Sequence, residues 1–509
     1  MMRKLVIAAL ACGLALPAAA QTPTSQSGAT LRIGLADDAD ALDPTLSRTY
    51  VGRIIFAGLC DKLFDIDDKL NVVPQLATGY EWADPQTLVI KLRDGVTFHD
   101  GEKFDSAAVK TSLERHQTMQ GSTRRGEISA IDRIETPDRL TVKLLLKSPS
   151  SPLVVQLTDR SGMIMSPKAL AALGNDFGKA PVCTGPFKFA ERVPQDRIVL
   201  DRFDGYWNKS AVNFARVVYR PIVDATVRLA NLQAGAIDFG ERFQPSDVPE
   251  ISRDKRLTLV QNAGLGFTSI LFNIANGTRP RTPMMSDARV RQAFALAIDR
   301  AVINQVVYNG VHTVNAHFVA PDSPFFDPAI KPAPRNVAQA RALLAAAGVK
   351  TPLSVELLIA NNADLRQSGE VIQSMAAEAG FDVKLRTTEF VTALAASDAG
   401  DYEVFLIGWS GRADADGNVY SFVHTGPPNL NASGYSNKDV DGWLDRARAV
   451  AGIAERRALY TKVAAQLLQD LPRMYLYTPN NIFAMSTRVR GFVPVPDGMV
   501  RLQGMSIAP

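Results

Sequence analysis

The side chains of this 509-residue chain that could carry out chemistry are few and widely spaced. Its five histidines, His99, His116, His312, His317 and His424, supply no His-Glu-x-x-His pair, the spacing that sets two imidazoles on one helix face around zinc. His312 and His317 stand beside a proline turn at a spacing that does not match a helix face. A Gly-x-Ser-x-Gly nucleophile elbow, a phosphate-binding Walker loop and a Cys-x-x-Cys pair are all absent, and Gly264-Leu265-Gly266 is too short to cradle a nucleotide. Asp37, Asp38 and Asp40 begin like a calcium loop, but the glycine and second half of that motif do not follow. A hydrolase, the main catalytic rival, therefore lacks its parts. No enzymatic activity, cofactor or metal is expected.

The elements around these residues read as mixed α and β. Leu31 to Ala36 (LRIGLA) alternates as a strand, Tyr50 to Leu59 has helical spacing, and Thr87 to Leu92 (TLVIKL) is a strand ended by the turn Arg93-Asp94-Gly95. Asp105 caps the helix pattern AAVKTSLERH, and Leu140 to Leu146 returns to strand composition. After Ile270 to Ile274 (ILFNI) the texture changes at a polar, proline-containing connection, and one long amphipathic helix is predicted from Asp287 to the stop at Asn309-Gly310. Beyond it, Ser354 to Ala360, the helix pattern LRQSGEVIQSMAAEAGF and Tyr402 to Trp409 give a strand, helix, strand order, the mark of a second α/β unit. Trp443 lies in the helical stretch VDGWLDRARAV and is predicted to pack in the core.

The N-terminus has the three regions of a secretory leader: Arg3 and Lys4, an apolar run from Leu5 to Leu16, then Pro17 and Ala18-Ala19-Ala20. Cleavage is predicted after Ala20. The apolar run falls short of the roughly 20 residues that span a bilayer, and Cys12 within it lacks the context of a lipidation site. A periplasmic protein is expected, with Thr22 to Thr30 as a polar lead-in. The 56 Lys and Arg nearly balance the 52 Asp and Glu with mixed signs, which argues against a nucleic-acid partner or a polybasic membrane patch. What remains after cleavage exceeds the roughly 250 to 300 residues at which one core stops growing, so at least two domains are expected. Cys60 and Cys183 are the thiols of the mature chain. In an oxidising compartment they are expected to pair, the alternative being two buried free thiols.

Five segments in order resemble the family 5 extracellular solute-binding proteins, the dipeptide and oligopeptide receptors of ABC importers. They are Val72 to Val109, with its DGV turn and FHDG loop; TGPFKF (184–189); DGYWN (204–208); VRQAFALAIDR (290–300); and GWSGRADADGN (408–418). The resemblance spans the mature chain. It implies a periplasmic-binding-protein fold of two α/β lobes joined by two hinge strands that close over a ligand. Lobe I would comprise residues 30–272, with 62–180 as an extra subdomain, lobe II 273–481, and 482–509 would return to lobe I. The chain would cross at Asn273 and at Asn480-Asn481. A monomer that passes a small molecule or short peptide to ABC permease subunits of the inner membrane is implied. The alternatives are a non-peptide solute, such as an acidic metabolite, sugar or metal chelate, and a periplasmic peptide-binding chaperone.

The resemblance also places the ligand loop. In peptide-binding relatives an aspartate soon after Gly-Trp meets the ligand's free ammonium group, whereas here the residue three after Trp409 is Arg412. Asp414 and Asp416 stand close enough to take over that role. Otherwise the pocket offers a guanidinium, which favours a carboxylate or phosphate. Arg366, at the start of a predicted helix, resembles the arginine that relatives use for the ligand's carboxylate. The expected ligand-binding residues are thus Trp409, Ser410, Gly411, Arg412, Asp414, Asp416 and Arg366, and the expected ligand is a small anionic or zwitterionic solute. His99 of FHDG is expected to order its loop.

Overall fold

The computed structural model describes residues 28–426 and 430–508; the predicted leader and its cleavage site lie outside them, as does Pro509. Leu31, Ile33 and Leu35 are wholly buried in the strand Thr30–Leu35, which lies parallel to both Arg216–Pro221 and Phe239–Gly240. These strands belong to a seven-stranded sheet whose order runs Leu257–Ala263, Asn480–Ser486, Phe239–Gly240, Thr30–Leu35, Arg216–Pro221, Arg197–Arg202, Phe187–Val193. The helix Tyr50–Leu59 packs on it, opened by Thr49, whose side chain accepts from the Gly52 N–H.

A second sheet of six strands has its own core, with Ile270, Leu357, Ile359 and Leu406 at zero exposure. Its order is Thr313–Val314, Arg473–Thr478, Phe267–Phe272, Val404–Trp409, Leu353–Ala360, Phe381–Thr388. A third, four-stranded antiparallel sheet, Ala77–Asp84, Thr87–Leu92, Thr141–Leu146, Ile131–Asp138, covers a separate core with the helix Ser106–Thr118. Asp105 caps that helix as expected, accepting from the Ala108 N–H at 3.0 Å. The result is a two-lobed α/β protein with an added subdomain. Among the described residues no helix is long and apolar enough to cross a membrane.

The chain passes between the lobes twice. Leu257–Ala263 of the first sheet leads through Gly264-Leu265-Gly266 into Phe267–Phe272 of the second, and Arg473–Thr478 of the second leads through Pro479 into Asn480–Ser486 of the first. The two crossings are tied where the Gly264 N–H donates to the Pro479 carbonyl at 3.1 Å. The first crossing therefore precedes Asn273, where the sequence places it. Phe267–Phe272 pairs on both edges with second-lobe strands, and Asn273 instead fastens a loop by donating to the carbonyls of Gly400 and Tyr402.

Two other expectations change. The single helix predicted from Asp287 is two, Ala288–Ala297 and Arg300–Tyr308, because Ile298 is extended and Asp299 caps a new start by accepting from the N–H groups of Ala301 and Val302. Between Leu353–Ala360 and Val404–Trp409 the helix Ala363–Ala379 is followed by a further strand, Phe381–Thr388, and a further helix, Phe390–Ala399. Cys60 and Cys183 form a disulfide across a separation of 123 residues. His99 orders the loop beside it: its Nδ1 accepts from the Cys183 N–H at 3.3 Å, and its Nε2 lies 3.0 Å from the Gly185 carbonyl.

Candidate functional site

Where the two lobes and the subdomain meet, they line a cavity that is nearly filled by side chains, with free space of about 30 Å³. The first lobe contributes Arg53 from the helix Tyr50–Leu59. The subdomain contributes Glu127, Gln156 and Asp159, and the second lobe contributes the loop that follows Val404–Trp409. The lobes touch around the cavity. Ser151 donates its N–H to the Arg448 carbonyl at 2.8 Å and its hydroxyl to the Val450 carbonyl at 2.6 Å, and Arg48 pairs with Asp398. This is a closed arrangement.

The Gly-Trp loop is held by Asn418, whose Oδ1 accepts from the Trp409 indole N–H (2.9 Å) and the Arg412 N–H (2.7 Å) while its Nδ2 donates to the Arg412 carbonyl (3.0 Å). Two glycines let it lie against the crossing strand. A Cβ on Gly266 would sit 1.9 Å from the Trp409 carbonyl oxygen, and Gly411 has φ +82°, with its missing Cβ 2.3 Å from Leu265. So fixed, the loop stacks the Arg412 guanidinium over the Trp409 ring at 4.4 Å. Trp409 also packs edge-on against Phe422.

Arg412 reaches Asp159 at 3.3 Å. Asp159 also takes Arg53 at 2.5 Å and Arg160 at 3.3 Å, and Arg53 donates to the Ser410 hydroxyl at 3.0 Å. Burial alone would push the Asp159 carboxyl up, but Arg412, Arg53 and Arg160 outweigh it and hold the group well below the usual range. Arg412 is lowered to about 10 by burial and by neighbouring Arg53, so it stays charged at neutral pH.

Of the residues expected at the site, Trp409, Arg412, Asp414 and Asp416 line the cavity, and Ser410 and Gly411 form the loop between them. Asp414 and Asp416 are not open to an incoming ammonium group. Arg456 binds Asp414 through two N–H groups (2.6 and 2.8 Å), Arg448 does the same to Asp416 (2.7 and 2.9 Å), and Gln156 adds a third contact to Asp416 at 2.6 Å. Arg366 does stand at a helix start, behind the cap Asn362, but its side chain is exposed and takes no part in lining the cavity. Trp443 is partly buried against a second-lobe core. His424 stacks on Tyr420 and pairs with Asp445, and among the described residues no group of three His, Cys, Asp or Glu side chains is placed to hold a metal ion.

Sequence reasoning missed Arg53, Glu127, Asp159 and Arg160. A signal existed for one of them: Arg53 is the sole charge in YVGRIIFAGL, an otherwise apolar helix, and its side chain is 5 % exposed. A lone buried arginine needs a partner.

The comparisons with known proteins agree with this geometry. Residues 71–429 match the model described as bacterial extracellular solute-binding proteins, family 5 Middle. The glutathione-binding protein GsiB of Pectobacterium atrosepticum is 29 % identical over 470 residues, covering 90 % of each chain. Among solved structures, the periplasmic binding protein AgaA of A. tumefaciens R10 in complex with agropinic acid superposes with a TM-score of 0.85 at 29 % identity, covering 94 % of this chain and 98 % of that one. The oligopeptide-binding protein AppA of Bacillus subtilis, in complex with a nonapeptide, shares the fold with a TM-score of 0.88 at 23 % identity, covering 96 % and 100 %.

Proposed function

Because the chain belongs to the family 5 bacterial extracellular solute-binding proteins, we propose that it captures a small anionic or zwitterionic solute between its lobes in the periplasm and presents it, as a closed monomer, to the permease subunits of an ABC importer. One observation carries this reading: Arg53 of the first lobe and Arg412 of the second converge inside the closed cavity on one carboxylate, Asp159. A ligand carboxylate entering there contacts both lobes at once, which shifts the population toward the closed form. The protein catalyses nothing. Residues 1–20 act as the leader that directs export.

A peptide-related solute is the first reading, supported by the relatives named for glutathione and agropinic acid, and it would enter by opening of the lobes and displacement of the ion pairs that fill the closed cavity. A non-peptide acidic solute is the second reading. It is favoured by the pairing of Asp414 and Asp416 with arginines, which leaves no open carboxylate in that loop for a peptide's ammonium group.

Native mass spectrometry of the protein as purified tests the proposal. An added mass of a few hundred daltons, lost on unfolding, supports solute capture. Absence of any such mass, together with binding to unfolded peptide libraries through a strand edge, favours the chaperone reading instead.

A further inference from the structure

The cavity holds more positive charge than its own acids neutralise. Each of its five acidic side chains has an arginine of its own: Asp414 with Arg456 (2.6 Å), Asp416 with Arg448 (2.7 Å), Asp497 with Arg501 (2.9 Å), Asp159 with Arg53 (2.5 Å), and Glu127 with Arg124. Arg501 also meets Asp65, but Lys62 balances that carboxylate at 2.6 Å. Arg412, which lines the cavity, and Arg160, which lies behind Asp159 and also donates to the Ser47 carbonyl at 2.6 Å, are left over. Both lean on Asp159 at 3.3 Å, so three guanidinium groups share one carboxylate.

The hydrogen bonds repeat the imbalance. Arg412 Nη2 and Arg53 Nε are buried and find no acceptor among the described residues. Arg412 is 11 % exposed, Arg53 5 % and Arg160 1 %, so water cannot solvate this surplus as it would at a surface. Buried cations without counter-ions are strongly unfavourable, and a buried N–H without an acceptor adds to the cost. A dianion in the cavity removes both faults. A monoanion leaves one unit of charge, and a zwitterion with no net charge supplies acceptors for the N–H groups but leaves the charge surplus untouched.

We propose that the solute is a dianion carrying two acidic groups, a small dicarboxylate or its equivalent, which Arg412 and Arg53 bind through their unused N–H groups. The proposal rests on the capture reading above and names the class of solute captured. Asp159 then acts as an internal rival of the ligand. It occupies the same guanidinium groups when no ligand is bound and keeps the empty cleft tolerable.

The test is calorimetric titration of the full chain, freed of bound solute by cycles of mild denaturant, with linear dicarboxylates from malonate to adipate and N-acetylglutamate. The matching monocarboxylates and the dipeptides Gly-Gly and Ala-Ala serve as comparison probes. At least one dicarboxylate should bind at least tenfold more tightly than its monocarboxylate counterpart. Arg412→Gln and, as an independent variant, Arg53→Gln should each weaken that binding at least tenfold, with Arg412→Lys keeping part of it. Asp159→Asn should strengthen it severalfold, a direction that a purely structural role for Asp159 would not give. The proposal is overturned if no dicarboxylate exceeds its monocarboxylate tenfold, or if the preference survives both arginine variants. Dipeptide binding without a dicarboxylate preference would sink the dianion and leave solute capture standing. If neither class binds and mass spectrometry finds no trapped solute, both readings fail.

Discussion

Arg412 of the second lobe lies 3.3 Å from Asp159 of the first, an ion pair that bridges the cleft and sits almost wholly out of water. Charges in such a place attract strongly, but each has lost its hydration, and the balance turns on whether every partner is present. Here the partners come from three separately packed regions, so the pair reports on lobe closure as well as on local stability.

Removal of the carboxylate should therefore be costly. Asp159→Ala leaves Arg53, Arg160 and Arg412 facing one another, and a loss of about 3 to 5 kcal/mol is expected in denaturant unfolding of the ligand-free protein. Asp159→Asn, which keeps a hydrogen-bond acceptor, should lose less. Equal stability of Asp159→Ala and the parent would show that the three guanidinium groups are already solvated.

Gly266 is predicted to tolerate no side chain. A Cβ there would lie 1.9 Å from the Trp409 carbonyl, a backbone atom that cannot swing aside. Gly266→Ala should push the Gly-Trp loop off the crossing strand, costing roughly 2 kcal/mol or more of stability and weakening ligand binding with it. Unchanged melting and affinity would mean that the loop is free to move.

His99 gives the loop beside the disulfide a defined pH response. Burial lowers it to about 4, against an ordinary value near 6.5. Its Nδ1 accepts from Cys183, so a second ring proton would face an N–H group. Because the folded value is the lower one, its stabilising contribution is complete above pH 6.5 and is lost as the pH falls toward 4, by at most roughly 3 kcal/mol. The stability difference between the parent and His99→Gln should shrink over that window. A difference that stays constant would remove His99 from the pH dependence.

The disulfide should be complete in the native protein. Maleimide added to denatured, unreduced protein from which the leader and its Cys12 have been removed should find no reactive thiol, and Cys60→Ser with Cys183→Ser should cost about 2 to 5 kcal/mol. Labelling of two thiols would contradict the bridge.

How much of this was visible in the sequence follows from where each signal resides. The Gly-Trp loop is one continuous stretch with a recognisable order, so Trp409 and Arg412 could be found without a structure. The strand Thr30–Leu35 was equally plain from its alternation, and the helix Tyr50–Leu59 from the spacing of its apolar residues, although the structure buries it on nearly every face. The Arg53–Ser410 contact joins residues 357 apart in the chain, and nothing local in TDRSG marks Asp159 as its other partner. Asp414 and Asp416 stand in the same continuous stretch, but their arginines, Arg456 and Arg448, come from helices further along the chain, so their neutralisation could not be read. Arg366 shows the limit of helix-start reasoning: Asn362 fixes where the helix begins, while the direction in which Arg366 points depends on the face that packs. The first crossing was misplaced because Gly264-Leu265-Gly266 was weighed only as a nucleotide signal. Its glycines instead permit the close approach of Pro479 and Trp409.

The central claim is that the cleft around Arg412 is where the solute binds. It is tested most directly by calorimetry of Arg412→Ala with the solute recovered from the purified protein. A charged hydrogen bond to a ligand acid predicts affinity weaker by about 1.5 to 3 kcal/mol, with folding retained. Unchanged affinity for that solute would contradict the account and move the binding site away from Arg412.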